Sequence, residues 1–154
     1  MLRKIQIDKP GGYDALKLVE QAIPALTDDQ VLIEVRACGV NYADGIIRMG
    51  LYASAKELHG YPITPGFELA GVVLQVGSAV TAYSPGDEVV ALTLFGGYCS
   101  HIALPENRVF RKPANLSFAQ TAALPTVFLT AWFMVRAQVM PKAGDTWLVH
   151  SAAG

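Results

Sequence analysis

Two kinds of text meet near residue 115, and that junction limits what the chain can become. Before it, short β-rich runs alternate with Gly and Pro turns: Gln30–Cys38 up to Gly39, Phe67–Val76 after Pro65-Gly66, Glu88–Thr93, Tyr98–Leu104 and Arg108–Lys112. Met1–Lys9 alternates apolar and charged residues as a half-buried strand does. Gly71 inside its run signals a bulge or a close backbone approach. Ser84-Pro85-Gly86-Asp87 places Pro and Gly where a type II turn wants them. Short strands at this spacing predict a small barrel or sandwich, interrupted by one short helix near Asn41–Met49.

Beyond the junction no charged residue falls between Lys112 and Arg136. Ser117-Phe-Ala-Gln120 is a capping-box pattern that opens a short helix. Pro125 suits the first position of a second helix, running to about Val139. The greasy stretch Ala122–Val135 is broken by Pro125, Thr126 and Thr130, which fits a buried helix better than a membrane span. After the turn Pro141–Asp145, Thr146–His150 reads as a strand buried on both faces, the kind found in parallel sheets. It leads into Ser151-Ala-Ala-Gly154. A strand followed by a turn of small residues is how a dinucleotide-binding unit begins, although the same four residues also suit an ordinary turn.

Charge narrows the function classes. Twelve Lys and Arg against thirteen Asp and Glu give a net charge of −1 over 154 residues, with no basic or acidic run. That argues against a nucleic-acid partner and against a disordered tail. Two cysteines, Cys38 and Cys99, are too few for a disulfide framework or a four-thiolate zinc site. The N-terminus lacks the apolar core of a signal peptide, so the expectation is a reduced, cytoplasmic globular protein.

The motifs taken together resemble the medium-chain dehydrogenase/reductase superfamily, and within it the zinc-free quinone oxidoreductase branch. They are Gly11-Gly-Tyr-Asp14 with Leu16-Lys-Leu18, Arg36–Asp44, Arg48–Tyr52, Pro65–Val73, Val76-Gly77, Pro85–Val89, Gly96-Gly-Tyr98, Thr130-Ala131 and Leu148–Gly154. No single one is decisive; their order and spacing are. The opening motifs look most like the vesicle amine transport protein homologues of that branch. The resemblance implies a mainly β fold: a GroES-like, partly open barrel with short helices over residues 1–124. Residues 125–154 would supply the connecting helix and first strand of a truncated α/β Rossmann domain that binds NADPH. It further implies a longer, homodimeric parent enzyme that reduces quinones or α,β-unsaturated carbonyls, the 154 residues being inactive alone.

Zinc-dependent members of the superfamily carry a Cys after the Gly-Val of the helix turn and a His between Gly and Glu. Here those positions hold Asn41 and Phe67, and a phenylalanine offers no lone pair. The expectation is therefore no zinc, with hydrogen-bond donors polarising the substrate carbonyl in its place. Asn41, Asp44 and Tyr52 are the catalytic candidates, although Asn41 and Asp44 also form a helix-capping pair and Tyr52 also suits a loop edge. Asn41, Thr126, Thr130, Ser151, Ala152, Ala153 and Gly154 are the candidates for NADPH contact; a mid-helix Thr130 also suits bonding back to its own helix. Glu68 reads as a strand anchor and Cys38 as a core residue. His101 reads as packed or surface-exposed, and Trp132, Phe133 and Met134 as helix-packing residues. A non-catalytic binding or scaffold protein that kept the fold is the alternative.

Overall fold

The computed structural model describes residues 1–150. Its elements in chain order are β1 (Leu2–Gln6), β2 (Lys17–Gln21), β3 (Gln30–Cys38), α1 (Tyr42–Arg48), α2 (Ala53–Leu58), β4 (Glu68–Val76), β5 (Glu88–Leu92), β6 (His101–Pro105), β7 (Val109–Arg111), α3 (Phe118–Ala122) and α4 (Pro125–Phe133). β1 and β2 form an antiparallel pair, and the other five strands form one antiparallel sheet in the order β6-β3-β4-β5-β7. Isolated bridges join Lys4 to Cys99, just before β6, and Ile7 to Ile63, in the segment before β4. The result is mainly β with short helices and no closed barrel.

Alternation explains which faces meet. Val31 and Ile33 of β3, Leu69 and Val73 of β4, and Val89 and Ala91 of β5 point the same way and are essentially fully buried. Leu104 and Val109 complete that core. At Gly71 both readings of the sequence hold: the β3–β4 register slips between Val35 and Ala37, and a Cβ at Gly71 would run into the Glu34 carbonyl. Gly86 takes φ +95° in the expected turn, closed by Asp87 N–H donating to the Ser84 carbonyl at 3.1 Å. A second cluster of Ile7, Ile47, Ala55, Ile63 and Phe95 seats α1 and α2, with Tyr52 and Phe67 packed against it. This smaller core, more than the sheet, places the candidate site.

Four expectations change. Thr146–His150 forms no strand, because no strand among the described residues offers its backbone a partner. The second expected helix ends as α at Phe133 and continues as a π-helix over Met134–Val139. Its apolar side chains stand in the open: Phe128 is 64% exposed, Trp132 61%, Phe133 52% and Met134 55%, with no second layer among the described residues to cover them. Cys38 is likewise exposed, at the end of β3. No helix among the described residues is long and apolar enough to cross a membrane.

Candidate active site

The turn from β3 into α1 carries two of the candidates. Asn41 is the N-cap of α1, and the Asp44 carboxylate reaches back to accept the Asn41 N–H at 2.8 Å, the capping arm legible in the sequence. Asp44 does more than cap. It is 6% exposed and also accepts the Gly66 N–H at 3.0 Å and the Tyr98 hydroxyl at 2.8 Å. Three donors on one buried carboxylate tie the β3–α1 turn to Gly66 and Tyr98. Burial first, and the Asp44 carboxylate second, push the Tyr98 phenol far above its usual range, so it stays a donor. Tyr98 was not singled out beforehand; its only signal was its place in Gly96-Gly-Tyr98.

Glu68, read only as an anchor, stands at the centre of the arrangement. It is 1% exposed, and among the described residues no cation pairs with it. One carboxylate oxygen accepts from the Asn41 side-chain amide at 2.9 Å, and the other accepts the Thr126 backbone N–H at 2.7 Å. Thr126 lies in the first turn of α4, whose N-cap, Leu124, has no side chain able to satisfy it. Gly39 makes room: a Cβ there would collide with the Glu68 carboxylate and come within 2.6 Å of the Ala122 carbonyl. The glycine before Val40 and Asn41 is thus a packing requirement of the buried acid.

A cleft of about 300 Å³ opens between this cluster and α4, walled by Tyr52, Phe67, Leu92, Thr126, Leu129 and Thr130. The Tyr52 and Phe67 rings pack at 6.1 Å between centroids, and Phe67 leans on Phe95 at 5.9 Å. Thr130 Oγ1 donates to the Thr126 carbonyl at 2.6 Å, the back-bond anticipated for a mid-helix threonine. Thr126 Oγ1 is buried and has no hydrogen-bond partner among the described residues, unusual for a hydroxyl. Tyr52, Thr126 and Thr130 therefore line one cleft. Asn41 and Asp44 do not line it; Asn41 is linked to it through Glu68. The remaining candidates, Ser151, Ala152, Ala153 and Gly154, lie outside the described residues.

Among the described residues no three His, Cys, Asp or Glu side chains converge as a metal site requires. Phe67 fills its position with a ring, and the Asn41 amide is committed to Glu68. Partial desolvation, then the Asp44 charge, raise the Cys38 thiol. His101 sits half-buried in β6 with Nδ1 3.0 Å from Ser100 Oγ. A separate hollow of about 470 Å³ beside β1, reached by Lys4, His59 and His101, meets the cleft only at Thr93.

An open antiparallel β domain with this cleft defines a protein of the medium-chain dehydrogenase/reductase type. The family model for the alcohol dehydrogenase GroES-like domain matches residues 27–130, and the chain belongs to that family. It is 37% identical to the quinone oxidoreductase of Lama guanicoe, over all of this chain and 46% of that one. It is 38% identical to the synaptic vesicle membrane protein VAT-1 homolog of Danio rerio, over 94% of this chain and 29% of that one. The quinone oxidoreductase of Escherichia coli, solved in complex with NADPH, superposes with a TM-score of 0.79 at 33% identity, over 88% of this chain and 40% of that one. The chain thus spans about half or less of the length of these relatives.

Proposed function

We propose that this chain is the substrate-side part of an NADPH-dependent reductase that acts on quinones or α,β-unsaturated carbonyls without a metal. The observation that carries the reading is the cleft between the Tyr52–Phe67 rings and α4, with the unpartnered Thr126 hydroxyl on its wall. Those residues fit the nicotinamide end of the cofactor: flat apolar rings to face a ring, a Thr130 hydroxyl whose oxygen is still able to accept from a carboxamide, and a buried Thr126 hydroxyl that a change of rotamer would add. Thr126, Thr130 and Asn41 would hold that end, and Ser151–Gly154 would begin the turn around the pyrophosphate. When bound, NADPH supplies the hydride. The chain's own residues orient the electrophile and manage its oxygen. Tyr52 donates a hydrogen bond or proton to the oxygen as it gains charge, and a carbonyl that reaches past the cleft wall to the β3–α1 turn would be polarised by the amide N–H that Asn41 does not give to Glu68. Asp44 holds the Asn41 turn rather than moving a proton. An amide, Asn41, and a phenyl ring, Phe67, in the metal ligands' places support the zinc-free reading.

The reading places a domain boundary between residues 124 and 125, at the first position of α4. The exposed Phe128, Trp132 and Phe133 support a Rossmann domain packing against that helix. It also carries a cytoplasmic homodimer, in keeping with the resemblance. The test is NADPH oxidation by the full-length protein against a panel of small quinones and enones. Turnover is expected, with no turnover and no tight NADPH binding from the 154 residues alone. NADPH affinity without turnover across the panel would instead favour a binding or scaffold protein.

A further inference from the structure

We infer that Glu68 is a positioning residue: its buried carboxylate orients the Asn41 amide and locks that amide to the N-terminus of α4. The inference rests on the reading of Asn41 and Thr126 as ligand-facing residues given above. Burying a carboxylate with no cation beside it is costly, and it persists where donors compensate. Glu68 has two such donors, and each belongs to a different wall of the site. The Asn41 Nδ2–H comes from the β3–α1 turn at 2.9 Å; the Thr126 N–H comes from the first turn of α4 at 2.7 Å.

The chemistry calls for an acid at this position. Both partners are donors, and only a carboxylate presents an acceptor oxygen to each. A glutamine has one acceptor oxygen, so its NH2 would face one of the two N–H groups. A cap on α4 alone would need a single oxygen; the second is spent on Asn41. That bond also fixes which way the Asn41 amide is flipped, because Oδ1 cannot face the carboxylate. One Asn41 N–H is consumed and the other keeps a set direction. Glu68 does not itself line the cleft and reaches it only through the Thr126 N–H, so it acts through Asn41 and α4.

The test uses the full-length protein with Glu68→Gln, Asn41→Ala and the double substitution. Amide NMR spectra read the bridge without any substrate. In Glu68→Gln the Asn41 side-chain NH2 and the Thr126 backbone amide should both shift, and the Asn41 NH2 should exchange faster with solvent. Spectra in which either group is unmoved would overturn the proposal. Steady-state kinetics read the consequence: Glu68→Gln should lower kcat about tenfold with a smaller change in KM. In the Asn41→Ala background the same substitution should cost less than about twofold, since partners acting as a unit are not additive. An equal loss in both backgrounds would overturn it by showing a purely structural role. A wild-type protein that is inert with NADPH and every acceptor would defeat the functional reading, while the spectra would still decide the bridge.

Discussion

At the scale of single residues, burial in this chain acts most plainly on Cys99. Desolvation first, and the neighbouring Cys38 thiol second, push its thiol from about 9 up to about 12. Between those values the folded chain keeps a proton that the unfolded chain releases. The stabilisation from Cys99 is therefore complete below pH 9 and is lost as pH rises toward 12. Urea unfolding of the wild type and of Cys99→Ala at pH 8, 9.5 and 10.5 checks this. The stability difference between the two should shrink with pH by up to about 1 kcal/mol per pH unit; a constant difference would mean the thiol titrates normally when folded. Residue identity alone revealed half of such behaviour. Asn41 with Asp44 was legible as a capping pair because the two are local in sequence. Glu68 and Tyr98 were not, since their partners lie 27 and 54 residues away and no pattern in the chain marks the pairing.

Among the elements, α3 is the one whose start was spelled out. Ser117 Oγ accepts the Gln120 N–H at 3.2 Å and Gln120 Oε1 accepts the Ser117 N–H at 3.0 Å, so the capping box is reciprocal. This short helix buries only Thr121 and Ala122, which leaves its cap a large share of its stability. Ser117→Ala in the full-length protein should lower unfolding stability by about 1 kcal/mol, read as a reduced urea midpoint at unchanged slope. An unmoved midpoint would show that tertiary packing alone holds α3. β3, β4, β5, β7 and α1 were legible because their turns are explicit and their apolar residues alternate or recur in step. β2 and α2 were not: Lys17–Gln21 buries no residue and Ala53–Leu58 only Ala55, so neither leaves an apolar pattern. The second expected helix was read as buried because it is apolar, yet apolarity reports what a surface favours and not whether a partner is beside it.

For the whole molecule, the Tyr52–Phe67 rings and α4 line the cleft, and Glu68 ties α4 to the Asn41 turn beside it. The mainly β architecture was readable from strand spacing, and the family from the order of motifs. The cleft was not, because its walls come from α1, the turn before α2, Phe67 just before β4, the end of β5, and α4, which only the folded chain brings together. The proposed chemistry depends on one claim: side-chain donors do the work that zinc does in metal-dependent relatives. The direct measurement is NADPH-dependent quinone reduction by the full-length protein after exhaustive chelation, with the metal content of the same sample determined. The expected result is undiminished turnover with less than about a tenth of a zinc per chain. Activity that disappears on chelation and returns stoichiometrically with added zinc would contradict it.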